Sequence, residues 1–103
     1  MDNYTKIATK NDITQGYPKV VELGGFEIVL FKVNEEIFAI ENICPHQHFG
    51  LFHQGTVEGN DIVCPMHGWS FDLRTGKAVE GSGRVKTFEV RIDGDAVLLK
   101  DFW

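Results

Sequence analysis

Turn signals interrupt this chain every few residues, and between them the apolar positions recur with a period of two. Gly24-Gly25, Asn34-Glu35, Gly59-Asn60-Asp61, Arg74-Thr75-Gly76 and Asp93-Gly94-Asp95 separate short runs rich in Val, Ile, Phe and Thr. Glycine adopts the positive φ that tight hairpins demand, and Asn and Asp tolerate it. β-Branched and aromatic residues suit a pleated, half-buried surface. The pattern predicts strands at residues 4–9, 19–23, 26–33, 37–41, 56–58, 62–64, 70–73, 77–79, 88–92 and 96–100, with a loop at 11–18. No stretch carries an apolar stripe of helical period and helix length. Short strands joined by tight turns pair antiparallel, so the expected fold class is all-β, a sandwich or a partly open barrel.

The 103 residues suffice for one domain with its own core, and no linker, repeat or low-complexity stretch divides them. The formal net charge of −5 argues against a nucleic-acid or anionic lipid partner, since both reward Lys and Arg. The N-terminal ten residues mix Asp2, Lys6 and Lys10 with polar residues and lack the apolar centre of a signal peptide. The longest apolar runs, such as residues 28–31, are strand-sized and far short of a bilayer span. A cytoplasmic protein with no membrane segment is the expectation. In a reducing compartment two cysteines, each close to a histidine, read as metal ligands rather than as a disulfide.

Two segments resist the strand pattern, residues 42–55 and 65–69, and function tends to sit in such loops. Together with the strand end at Cys64 they hold both cysteines and all four histidines. The first reads Cys44-Pro45-His46-Gln47-His48 with His53 further on; the second reads Cys64-Pro65-Met66-His67-Gly68-Trp69. The chain therefore offers C-x-H, 17 intervening residues, then C-x-x-H. A hairpin lies between the loops, and a hairpin returns the chain close to its start, so it can set them side by side. His48 stands two residues beyond His46 and could serve as ligand in its place. A Cys₂His₂ zinc site is the rival for the same donors, although zinc modules usually pair Cys with Cys and His with His, often on a helix. Pro45 and Pro65 each stiffen the chain after a cysteine, and Gly50 and Gly68 permit close backbone approach. Phe49, Leu51, Phe52 and Trp69 make these loops apolar, either to shield a bound group or to dock a redox partner. Phe26, Phe31, Phe38 and Phe88 fall within strand patterns and are expected in the core.

The two motifs, their order and their separation resemble the Rieske iron–sulfur family. The segment Gly68-Trp69-Ser70-Phe71-Asp72, continued by Arg74-Thr75-Gly76-Lys77, is similar to the stretch after the second motif in bacterial Rieske ferredoxins and aromatic-ring oxygenases. The resemblance implies the Rieske (ISP-like) fold in a single domain over 1–103, with the cluster-binding subdomain at one end, about residues 42–79. It implies one [2Fe–2S] cluster, with Cys44 and Cys64 on one iron and His46 and His67 on the other. Neutral imidazoles in place of two thiolates leave the oxidised cluster uncharged, so an electron enters more easily. Rieske potentials accordingly span roughly −150 to +300 mV, against about −400 mV for plant-type clusters.

High-potential members of the family carry an extra disulfide across the cluster, at positions matching Phe49 and Met66, and a serine and a tyrosine where this chain has Trp69 and Phe71. Lacking both, this chain is expected at the low end of that range. The implied function is an electron carrier between a flavoprotein NAD(P)H reductase and a terminal oxygenase, not a catalyst, since no 2-His-1-carboxylate set is apparent outside the loops. The small subunit of NADH-dependent nitrite reductase is the alternative within the family, and a zinc-stabilised interaction module the alternative outside it.

Overall fold

In the computed structural model, residues 3–14, 17–43, 52–65, 68–81 and 83–101 are described. Among them, eleven strands form three antiparallel sheets. The longest is β3 (Phe26–Val33), and its sequence explains the layering. Ile28, Val29, Leu30 and Phe31 are consecutive apolar residues, which an amphipathic strand would not have. Successive side chains of a strand point to opposite faces, so such a run is buried on both. Ile28 and Leu30 enter one core with Ala8, Ile13, Ala39, Val97 and Leu99. Val29, Phe31 and Val33 enter the other with Ile40, Phe52, Ile62, Cys64, Phe71, Leu73 and Val85.

The central sheet runs β2 (Lys19–Leu23), β3, β4 (Glu36–Glu41) and β9 (Thr87–Phe88). The β2–β3 hairpin closes through Gly24 and Gly25 at φ 60° and 83°, the pair of positive angles that matches strand twist in a two-residue turn. One face is covered by β1 (Tyr4–Thr9), β11 (Ala96–Lys100) and β10 (Val90–Asp93), with β11 in the middle. The other is covered by a small sheet in sequential order, β5 (Thr56–Glu58), β6 (Asp61–Val63), β7 (Ser70–Asp72) and β8 (Ala78–Glu80).

The expected single strand over 88–92 is two strands in different sheets. Thr87 and Phe88 pair with β4, whereas Val90 to Asp93 pair with β11. The break falls at Glu89, where the chain crosses from the central sheet to the outer one. Phe88 meets Phe26 edge-on, with ring centroids 6.2 Å apart, while Val90 packs on the core beneath the outer sheet. Alternation along the sequence runs unbroken through the crossing, so periodicity did not reveal it. The remaining strands stand within about a residue of expectation, and the loop after β1 forms a 3₁₀ turn at Lys10–Asp12. No helix among the described residues is long and apolar enough to cross a membrane.

Candidate metal centre

The small sheet brings the two loops to one end. Thr56, at the start of β5, pairs with Val63, at the end of β6, and Val63 also pairs with Ser70, at the start of β7. The segment that enters β5 and the segment that joins β6 to β7 therefore emerge together. Contact at this point is close: a Cβ on Gly55 would stand 2.5 Å from the Val63 carbonyl oxygen and 3.2 Å from that of Phe52. Only glycine lets the end of the first loop approach the residue that precedes Cys64.

Cys64 leaves β6 into the second loop. Its backbone N–H donates to the Trp69 carbonyl at 2.7 Å, which ties together the two ends of the second loop. Gly68, at the returning end, has φ 71°, a left-handed conformation that costs other residues about 1–2 kcal/mol. Cys64 is 1% exposed and packs in the core shared with Val29, Ile40 and Phe71. Trp69 is half-buried against the same core, and its indole lies over Gly81: a Cβ there would come within 2.2 Å of the ring. Gly81 has φ 101°, so both its backbone and the indole exclude a side chain. Gly55 and Gly81 escaped sequence reasoning, because what they make room for is remote in the chain or visible only in the fold.

Of the four expected ligands, Cys64 lies among the described residues and stands where the strand register directs it. Cys44, His46 and His67 lie outside them, as do His48, Phe49, Gly50, Leu51 and Met66 and the side chain of His53. Phe52 corrects the sequence reading of an apolar rim. It is 0% exposed, in the 3₁₀ turn Phe52–Gln54, and meets Phe71 edge-on with ring centroids 5.7 Å apart. An aromatic residue so placed joins the first loop to the sheet and is not available for docking.

These surroundings fit an iron–sulfur group: a cysteine sulfur on the dry side of a loop pinned at both ends, beside a second loop stem. Held there, such a group takes up and releases one electron. Antiparallel sheets that bring together the stems of two loops, which between them hold both cysteines and all four histidines, fit an iron–sulfur protein of the mixed cysteine–histidine class. Residues 3–91 match the Rieske [2Fe-2S] domain, and the chain belongs to that family; its cofactor is a [2Fe–2S] cluster.

The ferredoxin component of the naphthalene 1,2-dioxygenase/salicylate 5-hydroxylase systems of Ralstonia sp. is 37% identical over 100 residues, covering 95% of each chain. The solved complex of reduced oxygenase and oxidized ferredoxin in carbazole 1,9a-dioxygenase contains a chain of the same fold. It superposes with TM-score 0.83 at 26% identity, covering 94% of this chain and 92% of that one. A protein assigned as the NADH-dependent nitrite reductase small subunit from Mycobacterium tuberculosis superposes with TM-score 0.89 at 17% identity over 100% of this chain and 98% of that one. At that identity the last likeness is one of fold alone. With its ferredoxin relatives, this chain is an electron-transfer component and not itself a catalyst.

Proposed function

We propose that this protein passes single electrons from a flavoprotein NAD(P)H reductase to a terminal oxygenase in the cytoplasm. In this reading one Rieske domain spans 1–103, and about residues 42–79 hold the cluster. Cys44 and Cys64 ligate one iron, and His46 and His67 the other. The observation that carries it is the register Thr56–Val63–Ser70, which delivers both loop stems to one end of the small sheet with Cys64 between them. The ferredoxin component at 37% identity supports the carrier role, and the oxygenase–ferredoxin complex supports the acceptor.

The test has two arms. Anaerobically purified protein should contain about two irons and two sulfides per chain and give a rhombic EPR signal when reduced. Stoichiometric zinc without iron would overturn the assignment. Substitution separates the histidines: His46→Ala loses or bleaches the cluster, while His48→Ala and His53→Ala keep the visible spectrum. Bleaching by His48→Ala alone would move the ligand. For the acceptor, stopped-flow mixing of reduced protein with a terminal oxygenase should reoxidise it within the oxygenase's turnover time. Co-purification with a large sirohaem subunit would select the nitrite-reductase alternative instead.

A further inference from the structure

We infer that Asn42 and Glu27 form a clamp that positions the first ligand loop, a role resting on the assignment of Cys44 as ligand. Asn42 is the residue directly after β4 and two residues before Cys44. It is 1% exposed, and among the described residues Asn42 and Ser70 are the buried polar ones, each at a loop stem. Burying an amide is costly unless it is hydrogen-bonded, so its partners show what the position is for.

Asn42 donates twice to the same residue on β3. Its backbone N–H reaches the Glu27 carbonyl at 2.8 Å, and its side-chain Nδ2 reaches Glu27 Oε1 at 2.6 Å. The β3–β4 ladder ends at Ile28 opposite Glu41, so the backbone bond adds one rung beyond it. The side-chain bond is of a different kind. It is short, its acceptor is a carboxylate, and such bonds are roughly twice as strong as neutral ones.

The acceptor sits there against a local cost. Glu27 pairs across the hairpin with Glu22, and like charges directly opposite on a sheet face repel. The other side of the stem is also tied: the Glu41 backbone N–H donates to the Lys86 carbonyl at 2.9 Å, and Lys86 Nζ lies 5.8 and 5.7 Å from the ring centroids of Phe26 and Phe88. The chain thus leaves β4 held on both flanks, and its direction at residue 43 is set before the ligand is reached. The stem so fixed ends two residues before Cys44 in the chain.

Glu27 is exposed, so changing it tests the clamp without opening the core. Four variants of the cluster-loaded protein are compared: Glu27→Ala, Glu27→Gln, Asn42→Ala and, as a control on the opposed carboxylate, Glu22→Gln. Iron release to a chelator is followed by visible absorbance, and amide exchange at residues 42–43 is measured in the same cluster-loaded protein. Glu27→Ala and Asn42→Ala should release iron about tenfold faster or more, the range seen when groups supporting metal ligands are lost. Glu27→Ala should also speed exchange at the stem. Glu27→Gln keeps an acceptor oxygen without the charge and should fall between Glu27→Ala and wild type in both values, and Glu22→Gln should match wild type. Wild-type release and exchange in Glu27→Ala would overturn the clamp even if Asn42→Ala failed to fold, as would Glu27→Gln behaving like Glu27→Ala. Wild-type protein without iron would instead sink the ligand assignment.

Discussion

Phe52 shows how one side chain changes role when its surroundings are known. On the sequence it belongs to an apolar loop suited to either shielding or docking, with Phe49 and Leu51 beside it. In the fold it fills the core between the first loop and β7, edge-on to Phe71. Phe52→Ala should therefore cost about 3–5 kcal/mol of stability, as buried Phe→Ala changes do, readable as a lower urea midpoint. An unchanged midpoint would return the residue to the surface role. Phe71 is likewise 0% exposed and carries no hydroxyl, whereas high-potential relatives place a tyrosine at the matching position. A donor to cluster sulfur stabilises the reduced state, so the double change Trp69→Ser with Phe71→Tyr should raise the midpoint potential in protein-film voltammetry. Wild type should titrate near the low end of the family range, roughly −150 mV. A wild-type midpoint above zero at pH 7, or a double variant with no rise, would remove the low-potential assignment.

Turns decide whether the small sheet keeps its register. After β7 the chain reverses through residues 73–76, with Asp72 Oδ1 accepting from the backbone N–H groups of Arg74 at 2.7 Å and Thr75 at 3.3 Å. Gly76 then stands at φ 79°, and a Cβ there would come 2.1 Å from the Val85 carbonyl oxygen. Gly94, in the β10–β11 turn, has φ 62° with nothing within 4 Å of such a Cβ. Backbone strain alone is worth about 1–2 kcal/mol, so Gly94→Ala should lose that much. Gly76→Ala adds a clash with backbone and should lose clearly more; equal losses by denaturant titration would show that the clash relaxes.

The 3₁₀ turn after β1 offers a pH test. Asp12 Oδ2 accepts from the Thr9 backbone N–H at 3.1 Å and from Thr9 Oγ1 at 2.9 Å. Its carboxyl is lowered from 3.8, first by the backbone bond and then by the hydroxyl. A folded pKa below the unfolded one stabilises above the unfolded value, and that contribution is lost as pH falls through the folded pKa. An NMR titration of the Asp12 carboxyl should give a midpoint below 3.8, and Thr9→Val should raise it. A wild-type midpoint at or above the ordinary value would show that the turn does not hold the charge.

At the scale of the molecule, two cores share one central sheet, and the ends of the chain complete one of them. β11 is the middle strand of the outer sheet and contributes Val97 and Leu99, both 0% exposed. Removing residues 94–103 would strip two fully buried side chains, each worth about 1.5–3 kcal/mol, and unpair β1 and β10 together. Against a net stability of about 5–15 kcal/mol for a domain, that loss should abolish cooperative unfolding. A sharp urea transition in the shortened chain would show that the central and small sheets fold on their own.

The sequence by itself determined the strands, the hairpins and the candidate chemistry, because these depend on near neighbours. Alternation of Val, Ile and Phe, positive-φ glycines and the C-x-H and C-x-x-H spacings are all local, and β1, β2, β3, β5 and β11 fall on the residues they mark. Tertiary structure decided what depends on residues far apart. Whether Phe52 is covered depends on Phe71, whether residue 81 can carry a side chain depends on Trp69, and whether Asn42 can be buried depends on Glu27. The crossing at Glu89 is of the same kind, since a strand's alternation says which face is apolar but not which sheet edge it joins. Pairing of β1 with β11 likewise rests on hydrogen bonds between opposite ends of the chain, which no local pattern encodes.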